Sequence, residues 1–453
     1  MKKLITIFTL IISLFIMNMA LSYASETPVY DESYNNNQGA IYANGTAVVV
    51  SESDGKTLVS WDGGSQIVSN NVTIFGGGNG GTFESSQIIM NGGTVQNLVG
   101  GGIGYTQDTA SKVKNSHIII NNGTVTNAVV GGGYLYSETD TSNIELNGGT
   151  VFSMQGGSIA TGKISGINYS VGTKDDPIHS QSRVNTANLT INDGTIQSLL
   201  FGGGQGYSYT GTANLTINGG NFSTAYVTSG GSNGYTGTAN TKISGGNIYV
   251  FQSVNRGTVE KAKITVDGGT INKFYVGGET EDSTVTGEIN AIETNIISGI
   301  IDTLNTGTSN GFELKIDNEN YNVVTSEDAK IQNDNIGEAK VEITYDFDVD
   351  TNDLKLTKNN THQLKITVKT SPTGYEKIFN NEISYSSQNP EIASVDNTGT
   401  ITGISKGSTI VEAHVGNKTQ TISVEVVENS SLLILILILL VIIFAIFIIF
   451  IFV

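Results

Sequence analysis

The stretch GYSYTGTANLTINGGN (Gly206–Asn221) is followed by a second YTGTAN at Tyr235–Asn240, 26 residues after the first at Tyr209. The seven Gly or Asn/Asp-Gly turns around it line up as MNGGTV (90–95), NNGTV (121–125), LNGGTV (146–151), INDGTI (191–196), INGGNF (217–222), ISGGNI (243–248) and VDGGTI (266–271). Their second glycines, Gly93, Gly123, Gly149, Gly194, Gly220, Gly246 and Gly269, are spaced by 30, 26, 45, 26, 26 and 23 residues. The repeat is therefore about 26 residues, with one unit carrying an insertion.

Each unit reads alike: a short alternating strand, an Asn-Gly-Gly corner where positive φ is tolerated, a second strand, then a glycine cluster such as 100–102, 131–133 or 202–204. Tyr-Thr-Gly-Thr reads as a further turn. No 3.6-residue period is long enough for a helix in this region. A unit this small cannot bury its apolar face alone, but stacked copies can, each strand lying on its equivalent about 4.8 Å away. The expected fold is all-β: a parallel β-helix (β-solenoid) of about 26-residue coils, followed by a β-sandwich and a C-terminal transmembrane helix. Asparagines at equivalent corners are expected to bond coil to coil.

Composition narrows function. The 453 residues include 56 glycines, 4 prolines and no cysteine, and the net charge is −18. An acidic chain without a basic cluster repels nucleic acid. Without cysteine there are no disulfides or thiolate metal sites. The first 24 residues have the layout of a secretory signal peptide, with Lys2 and Lys3, an apolar run, and small residues Ser22 and Ala24 before the cleavage point. At the other end 22 consecutive apolar residues, 432–453, are long enough to span a bilayer. The domains are expected to be signal peptide 1–24, N-terminal cap 25–62, β-solenoid 63–311, β-rich connector 312–349, Ig-like domain 350–427 and transmembrane anchor 432–453. The protein is then an exported ectodomain at the cell surface, held in the membrane by its C-terminal helix.

Two resemblances add to this reading. Residues 63–311 resemble the glycine-rich β-strand repeats of prokaryotic adhesin-like surface proteins. Residues 350–427 resemble the bacterial Ig-like domain, group 2, on Tyr385-Ser386-Ser387, Asn389-Pro390, Ile392-Ala393-Ser394-Val395, Gly399-Thr400-Ile401-Thr402-Gly403 and Gly407-Ser408-Thr409, with Tyr385 where tryptophan is more usual. In that stretch Val411, Ala413 and Val415 alternate with Ile410, Glu412 and His414, as one face of a sandwich strand does. The resemblances imply a spacer or adhesive module on a surface protein.

Candidate chemistry is sparse. Glycine runs such as 76–81 lead into strand rather than helix and no GK[ST] follows, so they are not phosphate loops. Tyr105, Tyr134, Tyr136, Tyr207, Tyr209 and Tyr235 follow the glycine clusters and are expected to form an edge stripe, either a packing ladder or a strip for glycan rings. Asp346, Asp348 and Asp350 share one strand face and are candidates for Ca²⁺, although Thr351 and Thr357 break the EF-hand pattern. The inserted KDDPIHSQSR (174–183) holds Asp175, Asp176, His179 and Arg183, read as a surface loop. The functional expectation is a non-catalytic, membrane-anchored structural or adhesion protein presenting its solenoid to a glycan or cell-surface partner. The alternative is a β-helix lyase or hydrolase acting on polysaccharide.

Overall fold

The computed structural model describes residues 27–164, 166–279, 287–305, 308–309, 321–335, 340–380, 382–428 and 437–443. The signal-peptide stretch 1–24 lies outside them. The chain divides into two compact units, the first up to Thr294 with 300–322 and 331–339, the second built from 295–299, 323–330 and the residues from Lys340 onward.

In the first unit equivalent strands lie parallel on one another. One ladder runs through Gly81–Met90, Ser111–Ile120, Ser137–Leu146, Ser182–Ile191, Tyr209–Ile217, Ser232–Ile243 and the first half of Asn255–Tyr275. A second runs through Thr73–Phe75, Thr94–Val99, Thr124–Val130, Thr150–Gln155, Thr195–Phe201, Asn221–Thr228, Asn247–Gln252 and the second half of Asn255–Tyr275. A thin third ladder of bridges joins Asn79, Ile103, Tyr134, Ile159, Gln205 and Ser232. The register is that of the repeat: Tyr209 faces Tyr235 and Asn214 faces Asn240. At its start the first ladder is continued by an antiparallel meander, Val48–Ser53, Lys56–Trp61 and Gly64–Val68.

Stacking makes columns. Ile88, Ile118, Ile144, Leu189, Leu215 and Ile264 form one, each at most 1% exposed, with Thr241 between the last two. Thr241 satisfies its hydroxyl on Ser229 Oγ at 2.8 Å. Each full burial contributes about 1.5–3 kcal/mol, so the columns are the main source of cohesion. All seven aligned turn glycines have positive φ, from 79° at Gly269 to 113° at Gly123, as their corners require. The expected amide ladder is present: Asn121 Nδ2 donates to Asn91 Oδ1 at 2.8 Å, Asn147 to Asn121 at 3.0 Å, Asn192 to Asn147 at 2.8 Å and Asn218 to Asn192 at 2.8 Å. A second amide ladder runs Asn143, Asn188, Asn214, Asn240.

The glycine clusters are backbone-to-backbone corners. Gly77 N–H donates to Gly101 O at 3.0 Å, Gly101 to Gly132 at 2.8 Å, Gly132 to Gly157 at 3.1 Å, Gly157 to Gly203 at 3.0 Å and Gly203 to Gly230 at 3.0 Å. A Cβ added at Gly100, Gly131, Gly156 or Gly202 would stand 2.1–2.4 Å from the carbonyl oxygen one unit above. Thr-Gly-Thr at 210–212 is not the expected turn. It is strand, and Gly211 is needed because a Cβ there would meet Asn185 O at 2.6 Å. The insertion is looped out as an antiparallel hairpin, Thr161–Ile164 with Ile167–Ser170, and a short 3₁₀ turn, after which Ser137 pairs with Ser182 in unbroken register.

The second unit is all-β around its own core. A four-stranded sheet orders Asp353–Thr357, Lys418–Val427, Gly407–Val415 and Ile383–Ser387, and a three-stranded sheet Thr361–Gln363, Thr400–Gly403 and Ala393–Val395. Lys340–Val349 pairs antiparallel with Ile366–Ser371 and sends Tyr345 and Phe347 into the core. Val411, Ala413 and Val415 point inward as their alternation predicts. Tyr345 stacks on Phe379 at 4.2 Å, its hydroxyl donates to Asp328, and it accepts the Asn417 N–H at 2.9 Å.

The membrane-spanning helix expected over 432–453 is corrected by the structure. Among the described residues no helix is long and apolar enough to cross a membrane. The described part of that segment is helical over 437–443. The remainder of the segment lies outside the described residues, and an apolar run by itself specifies burial rather than helix length. Membrane anchoring through a C-terminal helix, and a localisation that depends on it, are therefore not supported.

Three stability measurements check these contacts. Gly202→Ala is expected to cost about 1–3 kcal/mol in urea denaturation, because its Cβ would stand 2.1 Å from the Ser229 carbonyl oxygen, backbone that cannot move aside cheaply. Gly162→Ala, where a Cβ meets nothing within 4 Å, is expected to be neutral or slightly stabilising. Tyr345→Phe leaves the Asn417 N–H without its acceptor and is expected to lower the second unit's stability by about 1–3 kcal/mol.

Candidate functional site

The six tyrosines do not form one stripe; four of them fall into two groups with different surroundings, and Tyr136 and Tyr207 stand apart from both. Tyr209 and Tyr235 sit at equivalent ladder positions and stack, with centroids 5.5 Å apart and planes 8° from parallel. Arg183, one unit below, lies over the Tyr209 ring with its Cζ 3.9 Å from the centroid. Below Arg183 in register is Glu138, which pairs with Lys112 at 3.2 Å. Burial, followed by the nearby Glu260 carboxylate, raises the Tyr235 pKa. This column turns ring edges and hydroxyls outward, because the faces are used between neighbours. A sugar needs an open face to stack on, so the column offers hydroxyl contacts rather than a platform.

Tyr105 and Tyr134 belong to a separate aromatic cluster. Phe75 packs on Tyr42 (5.2 Å, stacked), on Tyr34 (5.7 Å, edge-on) and on Tyr134 (5.7 Å, edge-on), and Tyr105 packs on Tyr169 of the inserted hairpin at 5.6 Å. Val99, Ile103, Val130, Leu135 and Ile164 complete its apolar lining. Burial pushes the hydroxyls of Tyr34, Tyr42 and Tyr134 well above the usual phenol range. Tyr105 is pushed up to about 12, by burial first and then by Tyr169 and Asp31. Tyr34, Tyr42 and Tyr169 carry no repeat signature; a period reports equivalent positions, whereas these residues meet from unrelated phases. The one local signal is YNNNQG at 34–39, where three successive asparagines take positive φ and turn Tyr34 inward. Tyr136 and Tyr207 follow the corners. Tyr136 is partly buried, and Tyr207 has a φ of 68°.

Beside this cluster is a cavity of about 190 Å³ lined by Tyr34, Tyr134, Leu135, Gln96, Asn127 and Lys163, among others. Asn127 Nδ2 donates to Asn97 Oδ1 at 2.7 Å, and Asn97 Nδ2 donates to Thr73 Oγ1 at 2.8 Å, which fixes the amides of its wall.

The insertion's polar groups pair locally. His179 Nδ1 lies 2.7 Å from Asp176 Oδ1, both exposed, and Arg183 Nη1 donates to Ile178 O at 2.8 Å. Asp346 and Asp348 lie on one exposed face of the strand Lys340–Val349, and Asp350 follows in the bend just past its end. Their carboxylates are engaged separately: Asp348 with Lys369, Asp350 with the Lys365 N–H at 3.0 Å and His362 at 3.5 Å, Asp346 with the Phe347 N–H at 2.9 Å. Among the described residues no group of three or more His, Cys, Asp or Glu side chains is placed to hold a metal ion.

Residues 381–428 match the family of bacterial Ig-like domains. No curated protein matches the chain. Among solved structures, the S-layer protein SbsC domains 4 and 5 is similar at 21% identity and a TM-score of 0.17, over 19% of this chain and 55% of that one. An intimin mutant of EHEC O157:H7 is similar at 22% identity and a TM-score of 0.13, over 19% of this chain and 46% of that one. The chain thus spans about half the length of each. Likenesses this slight say nothing about partners or activity.

The aromatic cluster gives a pH test. The Tyr105 pKa is raised in the folded state, so its contribution to stability is complete below the ordinary phenol pKa of 10.0 and is lost as pH rises toward about 12. Melting of the first unit is expected to fall across that window, and to fall less in Tyr105→Phe. Equal slopes in the two proteins would show that Tyr105 is not the group responsible.

Proposed function

We propose that this is an exported cell-surface protein of the adhesion type, in which a non-catalytic β-solenoid is presented on an Ig-like module. The observation that carries the reading is the bacterial Ig-like match at 381–428 beside a long array of parallel, in-register units. The three ladders support reading each repeat as one coil. The group 2 phrases place Tyr385–Ser387 on one strand and Gly407–Thr409 on its partner, which supports assigning the module to that group. The signal-like first 24 residues and the lack of cysteine fit export. Loops and edge columns, rather than a converging set of acids and bases, are what the array offers to a partner, and a glycan or a surface protein is the class such an outward column of tyrosine and arginine, with asparagine ladders alongside, suits. The Asp346–Asp348–Asp350 face plays no part in this reading.

Antibody raised against residues 340–428 should label intact, unpermeabilised cells, and protease added outside should remove the label. Labelling only after permeabilisation would overturn the surface assignment. In a parallel assay, beads carrying the full chain should bind glycan-coated surfaces or cells above the level of uncoated beads.

A further inference from the structure

The cavity beside the aromatic cluster has features that packing does not account for. It lies on the first unit, between the Tyr34–Asn37 turn, the second ladder and the inserted hairpin. Its volume, about 190 Å³, falls below the roughly 300–1,000 Å³ of sites that enclose a drug-sized ligand, and suits one small ring. Tyr34 and Tyr134 supply aromatic surface, the element that packs against the C–H side of a sugar ring. Gln96 Oε1 is buried at the wall with no hydrogen-bond partner among the described residues. A buried amide oxygen left unpaired is costly unless something donates to it, and a hydroxyl is the simplest donor. The neighbouring Asn97 is satisfied on both sides, by Thr73 and Asn127, so Gln96 cannot be relieved by that network. Lys163 stands at the mouth and exposed. Leu135, on the wall, is held at a φ of 57° while fully buried, an uncommon conformation for a leucine.

From the juxtaposition of Tyr34, Tyr134 and the unpartnered Gln96 amide we infer that this cavity binds the terminal sugar ring of a glycan. The ring packs against the tyrosines, one of its hydroxyls donates to Gln96 Oε1, and Lys163 meets a carboxylate or a further hydroxyl at the entrance. The inference deepens the adhesion reading and rests on it only for the glycan's biological setting. It differs from an edge stripe in that the sugar is taken end-on, by one cavity at the insertion.

The test uses the full chain and the methyl glycosides of glucose, galactose, mannose, N-acetylglucosamine and glucuronic acid, observed by saturation-transfer NMR and titrated. At least one is expected to bind with a Kd of about 1 mM. Gly162 lines the cavity and a Cβ there meets nothing, so Gly162→Phe should fill the space without disturbing the fold. Gly162→Phe and Gln96→Ala are each expected to weaken binding at least about tenfold, and Lys355→Ala, an exposed residue of the second unit, to leave it unchanged. Preference for glucuronide that disappears in Lys163→Ala identifies an acidic sugar; indifference to Lys163→Ala identifies a neutral one, and either outcome supports the site. No glycoside bound at about 50 mM, or binding untouched by both cavity variants, overturns it. Bead adhesion that survives Gly162→Phe refutes this cavity while leaving the adhesion reading standing. Glycoside binding by a chain that labels only inside permeabilised cells does the reverse.

Discussion

Backbone at the glycine corners lies closer to the backbone one unit above than any side chain would permit. With a Cβ at Gly202 only 2.1 Å from Ser229 O, the corner admits nothing larger than hydrogen. The corner therefore fixes the separation of successive units, and the N–H to C=O series from Gly77 to Gly230 fixes their register. Everything else in the first unit follows from that. Once the corners hold the strands at the sheet spacing, isoleucine falls on isoleucine and asparagine on asparagine. The 26-residue period is the sequence image of this one close approach.

Two kinds of packing result. Where equivalent residues meet, the interaction repeats and is largely self-satisfying: amide oxygen accepts from amide nitrogen, tyrosine face meets tyrosine face. Where inequivalent residues meet, at the Tyr34–Tyr42–Phe75–Tyr134 cluster, the surface is unique and its polar groups need not all find partners. Recognition of a particular ligand calls for the second kind, because a surface that looks the same at every step cannot mark one place. The insertion supplies the asymmetry, and the cavity lies beside it.

The seven turn glycines, the alternation in Val411–Val415 and the amide ladders were all legible in the sequence, because each depends on local backbone conformation or on the period alone. The face a residue presents was less so. Thr210-Gly211-Thr212 looks like a turn by composition, yet its glycine serves the approach of Asn185 O across the ladder, a contact that no local rule contains. The tyrosines share a position after a glycine cluster, but Tyr134 was drawn into an aromatic cluster by Tyr34 and Phe75, while Tyr209 was covered by Arg183 from the unit below. Apolar length at 432–453 does not by itself set helix length, and among the described residues no helix is long and apolar enough to cross a membrane. The aspartates at 346, 348 and 350 are close in sequence, but closeness is not convergence: the Phe347 N–H, the Lys369 side chain and the Lys365 N–H engage them one at a time.

The insertion also bears on how such a chain can change. The strand after it rejoins the ladder in the register it would have had without it, Ser137 on Ser182 and Ile144 on Leu189. The ladder is indifferent to what the chain does between one re-entry and the next. Whole copies of the unit can then be gained or lost by unequal recombination without mispairing those that remain, and the excursion can lengthen or change composition while the lattice beneath it is inherited intact. Scaffold and ornament are, in this sense, under separate selection.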